Sequence, residues 1–202
     1  MTFSHRFNAI FDRSVEDYHK RDSVDAQIHN PYEKGTLDEM LYLKNWIDAV
    51  QWHLEDIIRD PGIEPAEALA IKRRIDRSNQ ERTDLVEKID DYFIDTYKNV
   101  KICSEATLNT ETPAWAIDRL SILALKIYHM RVETIREEAT QAHKEACKAK
   151  LDVLLAQRED LSGAIDRLMI EIAQGKKYIK SYRQMKMYND PALNPVLYSG
   201  AK

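Results

Sequence analysis

Glycine and proline are scarce, with 5 of one and 6 of the other in 202 residues. That excludes the glycine-punctuated pattern of a many-stranded β fold and leaves no material for a glycine-rich phosphate loop. Cysteine is nearly missing. Cys103 and Cys147 stand alone in different segments, without the paired spacing of a disulfide framework or a zinc cluster. No run of about 18 apolar residues occurs, and the opening Met1 to Asn8 lacks a basic stretch followed by an apolar one. The expectation is a cytoplasmic chain with no membrane insertion. A net charge of −4 supplies no overall attraction for nucleic acid or an anionic membrane.

What the sequence has is helical periodicity over most of its length. Phe3, Phe7, Ile10, Phe11 and Tyr18 recur at helical spacing, which predicts a first helix from about Ser4 to Arg21, with an extension toward Ile28 left open. Asn30 to Gly35 ends it, and Thr36 with Glu39 forms a capping box for a second helix. There Leu43, Trp46, Ile47, Val50 and Leu54 gather on one face. Lys44, Asn45, Asp48, Trp52, Glu55 and Arg59 lie on the other, with His53 on the flank. Pro65 suits a first helical position, and the third helix is expected over Ala66 to Tyr97. Arg82 falls in the middle of its apolar stripe, where an unpaired guanidinium is very costly.

Thr112-Pro113 opens a further helix after an irregular connection over Asn99 to Glu111. No proline follows from Ala114 to Tyr188, and an unbroken helix of that length would span on the order of 110 Å. A break is expected near Glu138 to Ala142, with Thr140 as the cap of the restart. The piece before it, Trp115 to Ile135, is apolar over most of its circumference, which places it centrally. Its one polar strip carries Asp118, Arg119, Lys126, His129 and Glu133. The piece after it repeats through Cys147, Leu151, Leu154, Arg158, Leu161, Ile165, Leu168 and Ile172, a coiled-coil-like seam with a second arginine at a core position. The predicted fold is all-α: an antiparallel bundle of about five long helices in one domain over residues 1–202. The N-terminal helix lies within 1–30, the main bundle in 36–190 and a tail in 191–202.

Several of these stretches resemble a known bacterial family. Lys44-Asn45-Trp46-Ile47-Asp48, Trp52-His53-Leu54-Glu55-Asp56, Arg74-Ile75-Asp76-Arg77-Ser78-Asn79-Gln80-Glu81-Arg82, Ile117-Asp118-Arg119-Leu120 and Tyr182-Arg183-Gln184-Met185-Lys186-Met187-Tyr188 are similar to domain of unknown function 4254, with a likeness running from about Thr36 onward. The resemblance implies a cytoplasmic bacterial protein and brings no activity and no site residues with it.

No motif assigns catalytic chemistry. The one Glu-x-x-His match, Glu16 to His19, points away from its helix's apolar stripe, which argues against a ferritin-like di-metal site. His53 or His129 with neighbouring carboxylates has the donors for a single metal ion, but satisfied structural histidines are commoner, so no metal and no cofactor is assigned. What remains is a polar constellation of Asp48, Trp52, Glu55, Arg82, Asp118, His129 and Arg158. One reading is a buried ion-pair network that fixes helix register, in a non-enzymatic accessory or scaffold protein acting through helical surfaces. It brings a protein partner or a homodimer, with the C-terminal seam as one interface. The alternative is a pocket in which the arginines and His129 take an anionic phosphorylated or carboxylated small molecule, with Trp52 as a wall.

Overall fold

The computed structural model describes residues 2–199, so residues 200–202 of the expected tail lie outside the described residues. Five long helices carry the fold: α1 (Phe3–His19), α2 (Leu37–Ile57), α3 (Pro65–Tyr97), α4 (Pro113–Ile135) and α5 (Gln141–Ala173). A short α6 (Pro195–Ser199) lies near the end of the described chain. The helix starts are chemically explicit. Thr2, Thr36, Thr112 and Thr140 each accept a backbone N–H of the first turn through the side-chain oxygen, which satisfies a donor the helix itself cannot. The break between α4 and α5 falls where Thr140 restarts the helix, and α1 stops at His19 without reaching Ile28.

Two helical hairpins, α2–α3 and α4–α5, are antiparallel. α1 instead runs parallel to α2, with Arg6 on Asp38 and the Ser14 hydroxyl on the Tyr42 carbonyl. Residues 20–36 return the chain to the starting end, which is what a parallel neighbour requires. α1 then runs antiparallel to α5, where Asp166, Ser162 and Arg158 meet Ser4, Asn8 and Asp12 in turn. Phe7, Phe11, Tyr18, Leu41, Ile89, Phe93, Ile117 and Leu120 form the main core between these helices. The α5 seam faces inward along its length, packed chiefly on α4 and next on α1.

A two-residue parallel pair, β1 (Thr107–Leu108) with β2 (Lys177–Tyr178), pins the α3–α4 connection to the end of α5. Gly175 makes this junction. Its φ is +69°, its carbonyl oxygen accepts the Cys103 N–H at 2.9 Å, and a Cβ there would collide with the Lys101 carbonyl. The two-residue strands carry no periodic signal that a sequence reading detects.

Candidate functional site

The second helix is covered on both sides. Its polar face turns under α4, so Lys44, Asn45 and Asp48 are buried, and Lys44 has 0% of its side chain exposed. The three Lys44 ammonium donors have three acceptors. These are Asp48 Oδ2, Asp118 Oδ1 at 2.6 Å and the Asp118 carbonyl at 3.4 Å. Arg82 reaches the same carboxylate from α3 in a bidentate fork, Nε to Oδ1 at 2.9 Å and Nη2 to Oδ2 at 2.8 Å, and lies 3.5 Å from Asp48. The Ser121 hydroxyl donates to Asp48 at 2.6 Å, and the Asn45 amide donates to Ser121. Two cations and two carboxylates thus neutralise one another at the contact of α2, α3 and α4.

The two carboxylates are not equivalent. Burial pushes both up, but the charges of Lys44 and Arg82 outweigh it at Asp118, which is held below the ordinary carboxylate value. At Asp48 burial wins over Lys44, with the Asp118 charge adding to it, and the carboxyl is raised. Arg82 loses charge stability to burial and regains more from Asp118, so its pKa is raised.

Asp48 and Arg82 also form the floor of a cleft of about 330 Å³, with Trp52, Ile122 and Leu125 as apolar walls and Gln51, Glu55, Asp56 and Arg59 around it. Its three carboxylates outnumber its two guanidinium groups. Both guanidinium groups are engaged, Arg82 by Asp118 and Arg59 by Glu55.

Behind Trp52 lies a second cluster. His19 closes α1, His53 comes from the last turns of α2 and His129 from α4, and one nitrogen of each falls within 4.8 Å of the other two. Each imidazole lies against a different aromatic ring: His19 on Tyr128 at 4.0 Å, His53 on Tyr18 at 5.1 Å and His129 on Trp52 at 4.7 Å between centroids. Burial lowers the His129 pKa to about 4, helped by the proximity of His19 and His53, and burial also lowers that of His19. Glu133, His143 and Cys147 make a further metal-competent group at the far end of the α4–α5 hairpin.

The structure therefore divides the sequence-derived constellation. Asp48, Arg82 and Asp118 meet in one network, with Trp52 beside it in the cleft wall. Glu55 is drawn off to the exposed Arg59. Arg158 is answered by Asp12 and Asn8 of α1, well away from the network. His129 belongs to the histidine cluster, separated from the cleft by Trp52. The polar strip of α4 parts similarly, since Arg119 and Lys126 line an open groove of about 810 Å³ against α5 while Asp118 turns inward. Sequence reasoning missed Lys44, Ser121 and His19. Lys44 on a polar face reads as solvated unless that face is known to be covered. His19 reads as outward because α1 looks like a surface helix with one buried stripe.

These features define an all-α bundle held by a neutral buried charge network, with an aromatic-clamped histidine cluster beside it. Residues 38–181 match the family described as protein of unknown function (DUF4254), and the chain belongs to that family. No curated protein and no solved structure matches it. α1, and with it His19, lies outside the matched segment.

Proposed function

We propose that the protein is a non-enzymatic accessory protein that acts through its helical surfaces, with a second copy of the chain as partner. The observation that carries this reading is the segment after β2. Its first residue, Ile179, packs on the core, and beyond it the chain lies along α3 as a strap with polar ties: Arg183 to Asp91 and Glu87, Lys186 to Thr83 and the Asn79 carbonyl, Asn189 to Gln80. The strap's large apolar side chains face solvent, including Met185 at 87% and Val196 at 78% exposure, with Tyr182 and Tyr188 among them. Large apolar side chains exposed along one short segment are of the kind that marks protein contacts. A two-fold pairing of such segments is self-complementary.

The pairing of both central arginines within the chain supports the same reading. Asp118 and Asp12 already supply the carboxylates that a ligand anion would otherwise replace, and the cleft at Arg82 is lined by more acids than bases. Light scattering after size exclusion tests the proposal. The full chain is expected to be a dimer, and a chain ending at Ser181 a monomer with unchanged helical circular dichroism, because neither Met187–Asn189 nor α6 has a buried residue. A monomeric full chain at high concentration, or a dimer that survives the truncation, would overturn it.

A further inference from the structure

We propose that His19, His53 and His129 form a site for one divalent transition-metal ion of the zinc class, with a fourth position turned toward Asp22. The ligand set joins three helices, and its existence does not depend on the strap.

Spacing is the first argument. A tetrahedral zinc ion holds imidazole nitrogens at about 2.0–2.1 Å, which sets neighbouring nitrogens about 3.3 Å apart. The Nε2 atoms of His19 and His53 are 3.3 Å apart. The second argument is the direction of the lone pairs. His19 Nδ1 lies 2.7 Å from the Val15 carbonyl, so Nδ1–H donates there and Nε2 turns its lone pair into the cluster. A hydrogen bond between His19 and His53 accounts for two of the three nitrogens. It leaves His129 Nε2 buried with no partner, and an orphaned buried nitrogen is costly. One cation satisfies all three at once.

The third argument is preorganisation. Tyr128, Tyr18 and Trp52 each lie flat against one imidazole, so the rings are fixed by packing before any ion arrives. Asp22 flanks the cluster on the His53 side, next to the open fourth position. Its carboxylate lies 4.0 Å from His53 Nε2, on a residue held at φ 46° where its N–H closes α1 on the Tyr18 carbonyl. Asp56 stands 4.0 Å from His53 Nδ1, placed as an outer partner. The group at Glu133, His143 and Cys147 is a weaker competitor, because the single nitrogen His143 Nε2 is shared between Glu133 at 2.8 Å and Cys147 at 3.3 Å.

The test uses the tag-free full chain, stripped with a chelator and titrated with zinc alone. One equivalent is expected to bind and to raise the melting temperature. His53→Gln is expected to lower zinc affinity by more than the ~10–100-fold that loss of an outer partner causes, while His143→Ala leaves it unchanged. No binding at millimolar zinc, or binding that persists in His53→Gln and disappears in His143→Ala, would overturn the proposal. Should His53→Gln fail to fold, X-ray absorption of the zinc-loaded wild-type chain decides. Imidazole scattering from three ligands supports the site, and a sulfur or all-oxygen shell sinks it.

Discussion

At the scale of single residues the deciding effect is the cost of burying charge. Lys44 and Arg82 share Asp118, so Asp118→Asn leaves the buried Lys44 and the half-buried Arg82 with one carboxylate, a change expected to cost about 3 kcal/mol at neutral pH. Its pH dependence has a definite sign. The Asp118 pKa is lower in the folded chain than in the unfolded one, so its contribution is present above the ordinary carboxylate value of about 3.9 and is lost as pH falls through the folded value. Urea midpoints of wild type and Asp118→Asn should differ widely at pH 7 and pH 5 and converge toward pH 3. A gap that stays constant would show that the charge of Asp118 is not what holds the pair. Asp48 works in the other direction, because its raised carboxyl is relieved by protonation as pH falls.

Among the elements, the helices were legible because their signals are local. Threonine caps, Pro65 and Pro113, and a 3.6-residue apolar stripe all act within a turn or two, so the restart at Thr140 could be placed from sequence alone. The burial of Lys44 was not legible, because it depends on which helix covers the polar face of α2. The β1–β2 pair escaped for the same reason, since it is made by segments about seventy residues apart and owes its position to one glycine. That glycine separates two effects. Gly35 and Gly175 both have positive φ, but only Gly175 has backbone pressed against it. Gly35→Ala should cost only the strain of a left-handed alanine, about 1 kcal/mol, and Gly175→Ala distinctly more, toward 3 kcal/mol. Equal losses in thermal unfolding would contradict the close approach to Lys101.

Over the whole molecule, α1 does more than cap the bundle. It supplies Phe7, Phe11, Val15 and Tyr18 to the core, Asp12 to Arg158, and His19 to the histidine cluster, although it lies outside the segment that matches the family. A chain beginning at Thr36 is therefore expected to lose its cooperative melt and to bind a hydrophobic dye, the signs of secondary structure without fixed packing. A sharp melt close to that of the full chain would mean that α2 to α5 close their own core. The charge network and the histidine cluster follow the same logic, because each is assembled from three helices and no single segment displays it.

The contacts of Ser4 with Asp166 carry a consequence for biosynthesis. They join residues 162 apart in sequence, so the first helix to leave the ribosome packs against the last long helix to be made. At ~5–20 residues per second, the apolar stripe of α1 waits on the order of ten to thirty seconds for α5. During that interval only α2 and then α4 are there to shelter it. The parallel docking of α1 on α2, reached through the long return of residues 20–36, gives the nascent helix an early partner and shortens its exposure to aggregation.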